Sequence, residues 1–232
     1  MRPGDIMKPE EVPHLVRTYR MITPTVAGRK LCGRNTAKAR RILDKLTDAG
    51  KLYRHEFRDR RAKEPIVYYT VTQRPLRPKV LHGAFAVLWF CCVSKPRKRL
   101  LTAHQVRKLT TDIRRDGELR LVGLPRCYIT PASADAQRKV SLLRVDHPPR
   151  PRRINLNDAV ADLDAFVCRP AFEIWRQFAL ADRFVLTYLV PGAENAAELG
   201  IWLQRRPPVS RMGKLAVPIP VHVDVARSII PP

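Results

Sequence analysis

The sequence predicts an α+β protein in two parts: three helices and a two-stranded hairpin, followed by a mixed α/β sheet flanked by helices. Three observations predict this. Apolar residues recur at helical spacing between Glu10 and Leu46. Two extended runs, Leu52 to Phe57 and the Tyr-, Val- and Thr-rich Ile66 to Thr72, bracket a polar, basic turn at 58–65. In the second half, extended runs alternate with helical ones. The 232 residues suffice for a small module followed by a larger one. With 45% hydrophobic and 28% charged residues, the composition excludes disorder throughout and excludes a fibrous repeat.

A first helix is expected over Glu10 to Met21, with Val12, Leu15, Val16 and Tyr19 on one side. Thr23 is a suitable N-cap and Pro24 a suitable first residue for a short second helix ending at the Cys32-Gly33 turn. The third helix follows at once. Ala39, Ile42, Leu43 and Leu46 form its apolar face, and Gly50 suits a left-handed C-terminal cap. Arg34, Lys38, Arg41 and Lys45 are spaced as a single basic stripe of about three turns on the opposite side. Strands are expected at Leu52 to Phe57 and Ile66 to Thr72, joined by RDRRAKEP at 58–65, which carries Arg58, Arg60, Arg61 and Lys63.

Two helices joined by a tight Gly-containing turn, the second with a basic outer stripe, suit a helix laid in the major groove of DNA. The run LDKLTDAGKLYRHEF, from the third helix into a strand, and YYTVT, closing the hairpin, resemble winged helix-turn-helix DNA-binding domains over about residues 8 to 73. The resemblance implies that Arg34, Asn35, Thr36, Lys38 and Arg41 face base edges and flanking phosphates. Arg is suited to guanine and Asn to adenine. Lys45 extends the stripe, and Arg58, Arg60, Arg61 and Lys63 are expected to anchor the sugar-phosphate backbone. Winged helices also bind RNA or protein, so RNA stays open as a ligand.

The expected division is a DNA-binding domain at 1–73, a linker at 74–80 around RPLRP, and a mixed α/β domain at 81–232. In the latter, 80–93 reads as an apolar helix and Thr102 as the cap of a helix running to Ile113. Extended runs are expected at Glu118–Leu124, Cys127–Pro131 and Val140–Val145. A helix capped by Asn155 or Asn157 and interrupted at Pro170 comes next, then a strand at Phe184–Val190, a helix at Glu194–Gln204 and a last extended run at Leu215–Val225. A winged helix followed by LLRVDH at 142–147, a Trp175-containing helical segment and FVLTYLV resembles the replication-relaxation family of plasmid and mobile-element proteins. Their second domain is similar to the PD-(D/E)XK nuclease core. That resemblance implies metal-binding carboxylates on the 142–147 strand, yet the matching positions read Arg144-Val145-Asp146, and upstream stands Thr130-Pro131-Ala132. An Arg in place of a carboxylate leaves Asp146 alone, so the expectation is an inactive nuclease-like domain with no metal and no cofactor. Asp135 with Lys139 and Asp146 is the one acidic-basic cluster to assemble, and reads as surface. No Gly-x-Ser-x-Gly elbow, Walker loop or dinucleotide loop occurs, and the six His have no ligand spacing. Trp89, Trp175 and Trp202 read as core or as a docking surface.

Lys and Arg number 44 against 21 Asp and Glu, a net charge of +23 that points to a polyanion. The charge is uneven: residues 1–79 carry +12, residues 80–153 carry +11, and residues 154–232 carry none. An Arg-rich composition alone would spread it throughout. Lys95, Arg97, Lys98 and Arg99, with Arg150, Arg152 and Arg153, form an auxiliary basic patch expected to lengthen the phosphate footprint. The neutral last third is left for a homodimer or for a replication or transfer protein. Five Cys without a C-x-x-C pair suggest a reducing compartment. The longest apolar run, Gly83 to Val93, is 11 residues and too short to span a bilayer. The expectation is a cytoplasmic, nucleoid-associated, non-enzymatic DNA-binding regulator of a plasmid, phage or mobile element. The alternative is a non-catalytic accessory subunit of a nucleic-acid-processing ribonucleoprotein or transfer complex.

Overall fold

A computed structural model describes residues 7–60, 62–94, 96, 98–102, 104–106, 108, 126–129, 140–145, 155–212 and 215–229. It is a mixed α+β structure with several sheets. The chain divides into two compact units, residues 1–95 together with 227–232, and residues 96–226.

In the first unit, a single 3-10 turn at Pro9–Glu11 leads into α1 (Val12–Tyr19). Val12, Val16 and Tyr19 are buried, and Arg20 ends the helix in the left-handed region at φ 73°. The chain turns at Ile22, which exchanges two backbone hydrogen bonds with Tyr69 (3.0 and 2.9 Å). α2 (Pro24–Leu31) begins with Thr23 Oγ1 accepting from the amide of Val26, and Pro24 fills the first helical position. α3 (Thr36–Asp48) buries Ala39, Leu43 and Leu46. Gly50 follows at φ +68°, and the amides of Lys51 and Leu52 both bond back to the carbonyl of Leu46. β1 (Tyr53–Phe57) and β2 (Ile66–Thr70) pair antiparallel, from Tyr53 opposite Thr70 to Phe57 opposite Ile66.

The expected linker at 74–80 does not separate the units, because α4 (Pro78–Cys92) belongs to the first one. Its sequence explains why. From Gly83 to Leu88 every residue is buried, so the helix has no wet face and is itself core. His82 meets the ring edge of Phe57 at 5.6 Å between centroids, and the Arg29 guanidinium sits 5.0 Å from the Trp89 ring. Ile229, from the end of the chain, is buried in the same unit.

The second unit is built on a five-stranded sheet ordered β3 (Arg99–Leu100), β4 (Arg126–Ile129), β5 (Val140–Val145), β6 (Phe184–Val190), β9 (Val221–Val225). β4 pairs antiparallel with both β3 and β5, whereas β6 lies parallel to both β5 and β9. β6 is buried along nearly its whole length, which accounts for its largely apolar sequence. The polar exceptions satisfy each other: Ser141 Oγ lies 2.7 Å from Thr187 Oγ1 and 2.8 Å from the carbonyl of Val185. Between β5 and β6 run α5 (Leu156–Val167), a 3-10 turn at Pro170–Phe172 and α6 (Glu173–Leu180). Asn155 caps α5, and the path is interrupted at Pro170. α7 (Ala193–Arg205) follows β6. Trp175, Phe178, Phe184 and Phe172 fill the core beside Leu163 and Leu186.

Thr102 and Gln105 cap each other reciprocally (3.0 and 3.3 Å), and residues 104–106 and 108 are helical. The expected last strand at 215–225 is two strands, because β8 (Leu215–Pro218) turns back on β7 (Val209–Met212) as a separate antiparallel hairpin before β9 begins. The expected strand at 118–124, the Thr130-Pro131-Ala132 positions, Asp135, Lys139 and Asp146 lie outside the described residues. Among the described residues, no helix is long and apolar enough to cross a membrane.

Candidate nucleic-acid interface

The junction between α2 and α3 is set by one glycine. A side chain at Gly28 would bring Cβ within 3.2 Å of the backbone of Thr36 and 3.3 Å of that of Asn35, so α3 starts directly against α2. The Gly28 carbonyl accepts from the amides of Cys32 (3.1 Å) and Arg34 (2.8 Å), and Asn35 N bonds to Cys32 O. Gly33 and Arg34 both stand in the left-handed region, at φ 55° and 80°. A non-glycine residue held there carries strain, which the two amide bonds to Gly28 offset.

Asn35 is the N-cap of α3: its Oδ1 accepts from Lys38 N at 2.9 Å. Its side-chain oxygen is therefore engaged with the helix, and a direct contact to a base would fall to its amide nitrogen. Arg34 precedes the helix, so the expected three-turn stripe is shorter. Lys38, Arg41 and Lys45 lie along about two turns of α3, with Arg34 in the turn before them. All four are exposed, as is Thr36. Among the described residues none of the four cations forms an ion pair.

The Asp44 carboxylate accepts a 2.6 Å hydrogen bond from the Tyr69 hydroxyl, joining α3 to β2. Burial raises the pKa of Tyr69 above its ordinary value, the Asp44 contact raises it further, and Arg54 and Arg40 oppose both. These two arginines escaped the sequence reading. Arg40 stands four residues before Asp44, a spacing that was available as a signal. Arg54 is paired with Glu56 at 2.7 Å. On the second strand, burial raises the pKa of Tyr68, whose hydroxyl accepts from Leu76 N at 3.1 Å. His55 Nε2 lies 2.9 Å from Thr70 Oγ1 and 3.2 Å from the carbonyl of Thr72.

In the hairpin turn Arg58, Arg60 and Lys63 are exposed, and Ala62 N bonds to Asp59 O. The first unit thus brings together Arg34, Thr36, Lys38, Arg41 and Lys45 on one helix and its preceding turn, and three cations on the hairpin turn. Lys98 and Arg99 belong to the second unit, where Lys98 Nζ donates to the carbonyl of Pro96. Arg61, Lys95, Arg97, Arg150, Arg152 and Arg153 lie outside the described residues.

Arg144, which stands where a nuclease-like site would want a carboxylate, is paired with Asp162 of α5, and its guanidinium lies 4.7 Å from the Phe166 ring and 5.9 Å from the Tyr188 ring. It fastens the end of β5 to α5. Among the described residues, no three His, Cys, Asp or Glu side chains are grouped to hold a metal. Trp175 is core; Trp89 and Trp202 are half-buried, each beneath an arginine. No family model, curated protein or solved structure matches the chain.

Proposed function

We propose that the chain is a non-enzymatic, sequence-selective DNA-binding regulator that reads the duplex with a winged helix-turn-helix in its first unit. The observation that carries this reading is the exposed cationic face Arg34, Lys38, Arg41 and Lys45, on a helix whose opposite side is buried. Three further features support it. The order of the elements is helix, bridging residue Ile22, helix, helix, hairpin. Gly28 seats α3 tightly against α2. The hairpin turn carries Arg58, Arg60 and Lys63 beyond the packed part of the strands.

In this mechanism α3 enters the major groove with its N-terminal turn foremost. Thr36, Lys38 and Arg41 meet base edges, while Lys45 and the hairpin cations hold phosphates and set the register. The net charge of +23 steers encounter with DNA and makes binding salt-dependent. The protein then works at the nucleoid. A role in transcription, replication or transfer control of a plasmid, phage or mobile element is what the family resemblance implies, and is proposed with it.

Selection of the full-length protein against a random duplex pool, beside a structured RNA pool at the same ionic strength, tests the reading. The expected result is an enriched duplex motif bound about a thousandfold more tightly than random DNA. Enrichment from the RNA pool alone would replace DNA with RNA as the ligand.

A further inference from the structure

The outer surface of α7 is an unusual mixture for a protein of this charge. A concavity of about 500 Å³ is lined by Leu156 at the start of α5 and by Glu198, Ile201, Trp202, Arg205 and Arg206 of α7 or the residue after it. Ile201 is 54% exposed, although it is a large aliphatic residue. At 100° per residue, Glu194, Glu198, Ile201 and Arg205 fall within about 60° of one another, forming one ridge beside Trp202. Along that ridge the charges are ordered, with both carboxylates toward the N-terminus and the arginine toward the C-terminus.

The order is self-complementary. Glu198 stands three residues before Ile201, and Arg205 three residues after Trp202. A second α7 laid antiparallel, with its Ile201 and Trp202 over the same pair, sets each Glu198 against the other copy's Arg205. One axis then satisfies both ion pairs and covers the apolar centre, as a two-fold contact between identical surfaces requires. The macrodipoles of the two helices also oppose. Nucleic acid fits this surface less well: two carboxylates repel phosphates, and the Arg206 guanidinium already lies 5.5 Å from the Trp202 ring centroid, over the ring where a base would stack. We propose that the exposed ridge of α7 is the contact by which two copies of this chain associate, independently of any DNA.

Sedimentation equilibrium of the free full-length protein tests this. The average mass is expected to rise toward that of a dimer with concentration, and Ile201→Asp is expected to weaken association by about tenfold or more. Glu198→Arg and Arg205→Glu alone each weaken it several-fold, whereas the double variant Glu198→Arg with Arg205→Glu restores it, because the two-fold axis exchanges both partners together. All three positions are exposed, so unchanged far-ultraviolet circular dichroism spectra will verify that the variants fold. A protein that stays monomeric, a dimer indifferent to Ile201→Asp, or a double variant as weak as the singles overturns the proposal.

Discussion

Two residues of the first unit decide how firmly α3 is held, and each has a consequence that can be measured. At Gly28 the atoms facing an added methyl group are backbone, which cannot swing aside. Gly28→Ala is expected to cost about 1 to 3 kcal/mol in urea unfolding through overpacking, and to weaken DNA binding by tilting α3. The Tyr69 hydroxyl donates to a carboxylate from a fully buried ring. Its loss in Tyr69→Phe is expected to cost about 1.5 kcal/mol, near the lower end for hydrogen bonds to charged groups, because the half-buried Asp44 recovers some hydration. The pH dependence has a definite sign. The folded state holds the Tyr69 proton more tightly than the unfolded chain does, so this contribution is complete below the ordinary tyrosine value of 10.0 and declines as pH rises above it. Alkaline unfolding followed by circular dichroism is therefore expected to begin near that value in the wild type and to be shallower in Tyr69→Phe. Equal alkaline slopes for the two proteins would exclude a role for this proton.

Among the elements, α3 rests on its cap. Asn35→Ala leaves the amide of Lys38 without its acceptor and is expected to lower stability by about 1 kcal/mol, read as a shift of the urea midpoint at unchanged slope. Much at this scale was legible beforehand. The buried face Ala39, Leu43 and Leu46, the Thr23 cap, the hairpin and the strands at 140–145 and 184–190 all follow from periodicity or turn chemistry, which act locally. The start of α3 was harder to read: Arg34 continues the spacing of the stripe, but its backbone is in the left-handed region and lies outside the helix. The β7–β8 hairpin was missed for a related reason. Pro218 and Pro220 alternate with apolar residues, so 215–225 reads as one extended run, although the turn between β8 and β9 falls there. The 2.6 Å contact of Tyr69 with Asp44 joins residues 25 apart in the chain, and no local pattern announces it.

Over the whole molecule, the division near residue 95 was the least legible feature, because an all-apolar helix such as α4 looks the same whether it opens a new core or completes an old one. The proline-rich 74–78 stretch marks a turn before α4, not the end of a unit. The return of Ile229 to the first unit is equally hidden in sequence; Ile229→Ala is expected to cost about 2 kcal/mol or more, seen as an earlier unfolding transition. The uneven charge was legible, since it needs only counting: the neutral last third supplies α7, whereas the first 79 residues carry +12. The central claim is that the cationic face of α3 grips DNA. It is tested most directly by the salt dependence of duplex binding, comparing the full-length wild type with a variant in which Arg34, Lys38, Arg41 and Lys45 are all changed to Ala. The slope of log K against log salt is expected to fall by about 0.9 for each phosphate contact removed, with loss of the preferred sequence. A variant that keeps both the wild-type slope and its sequence preference would contradict the account.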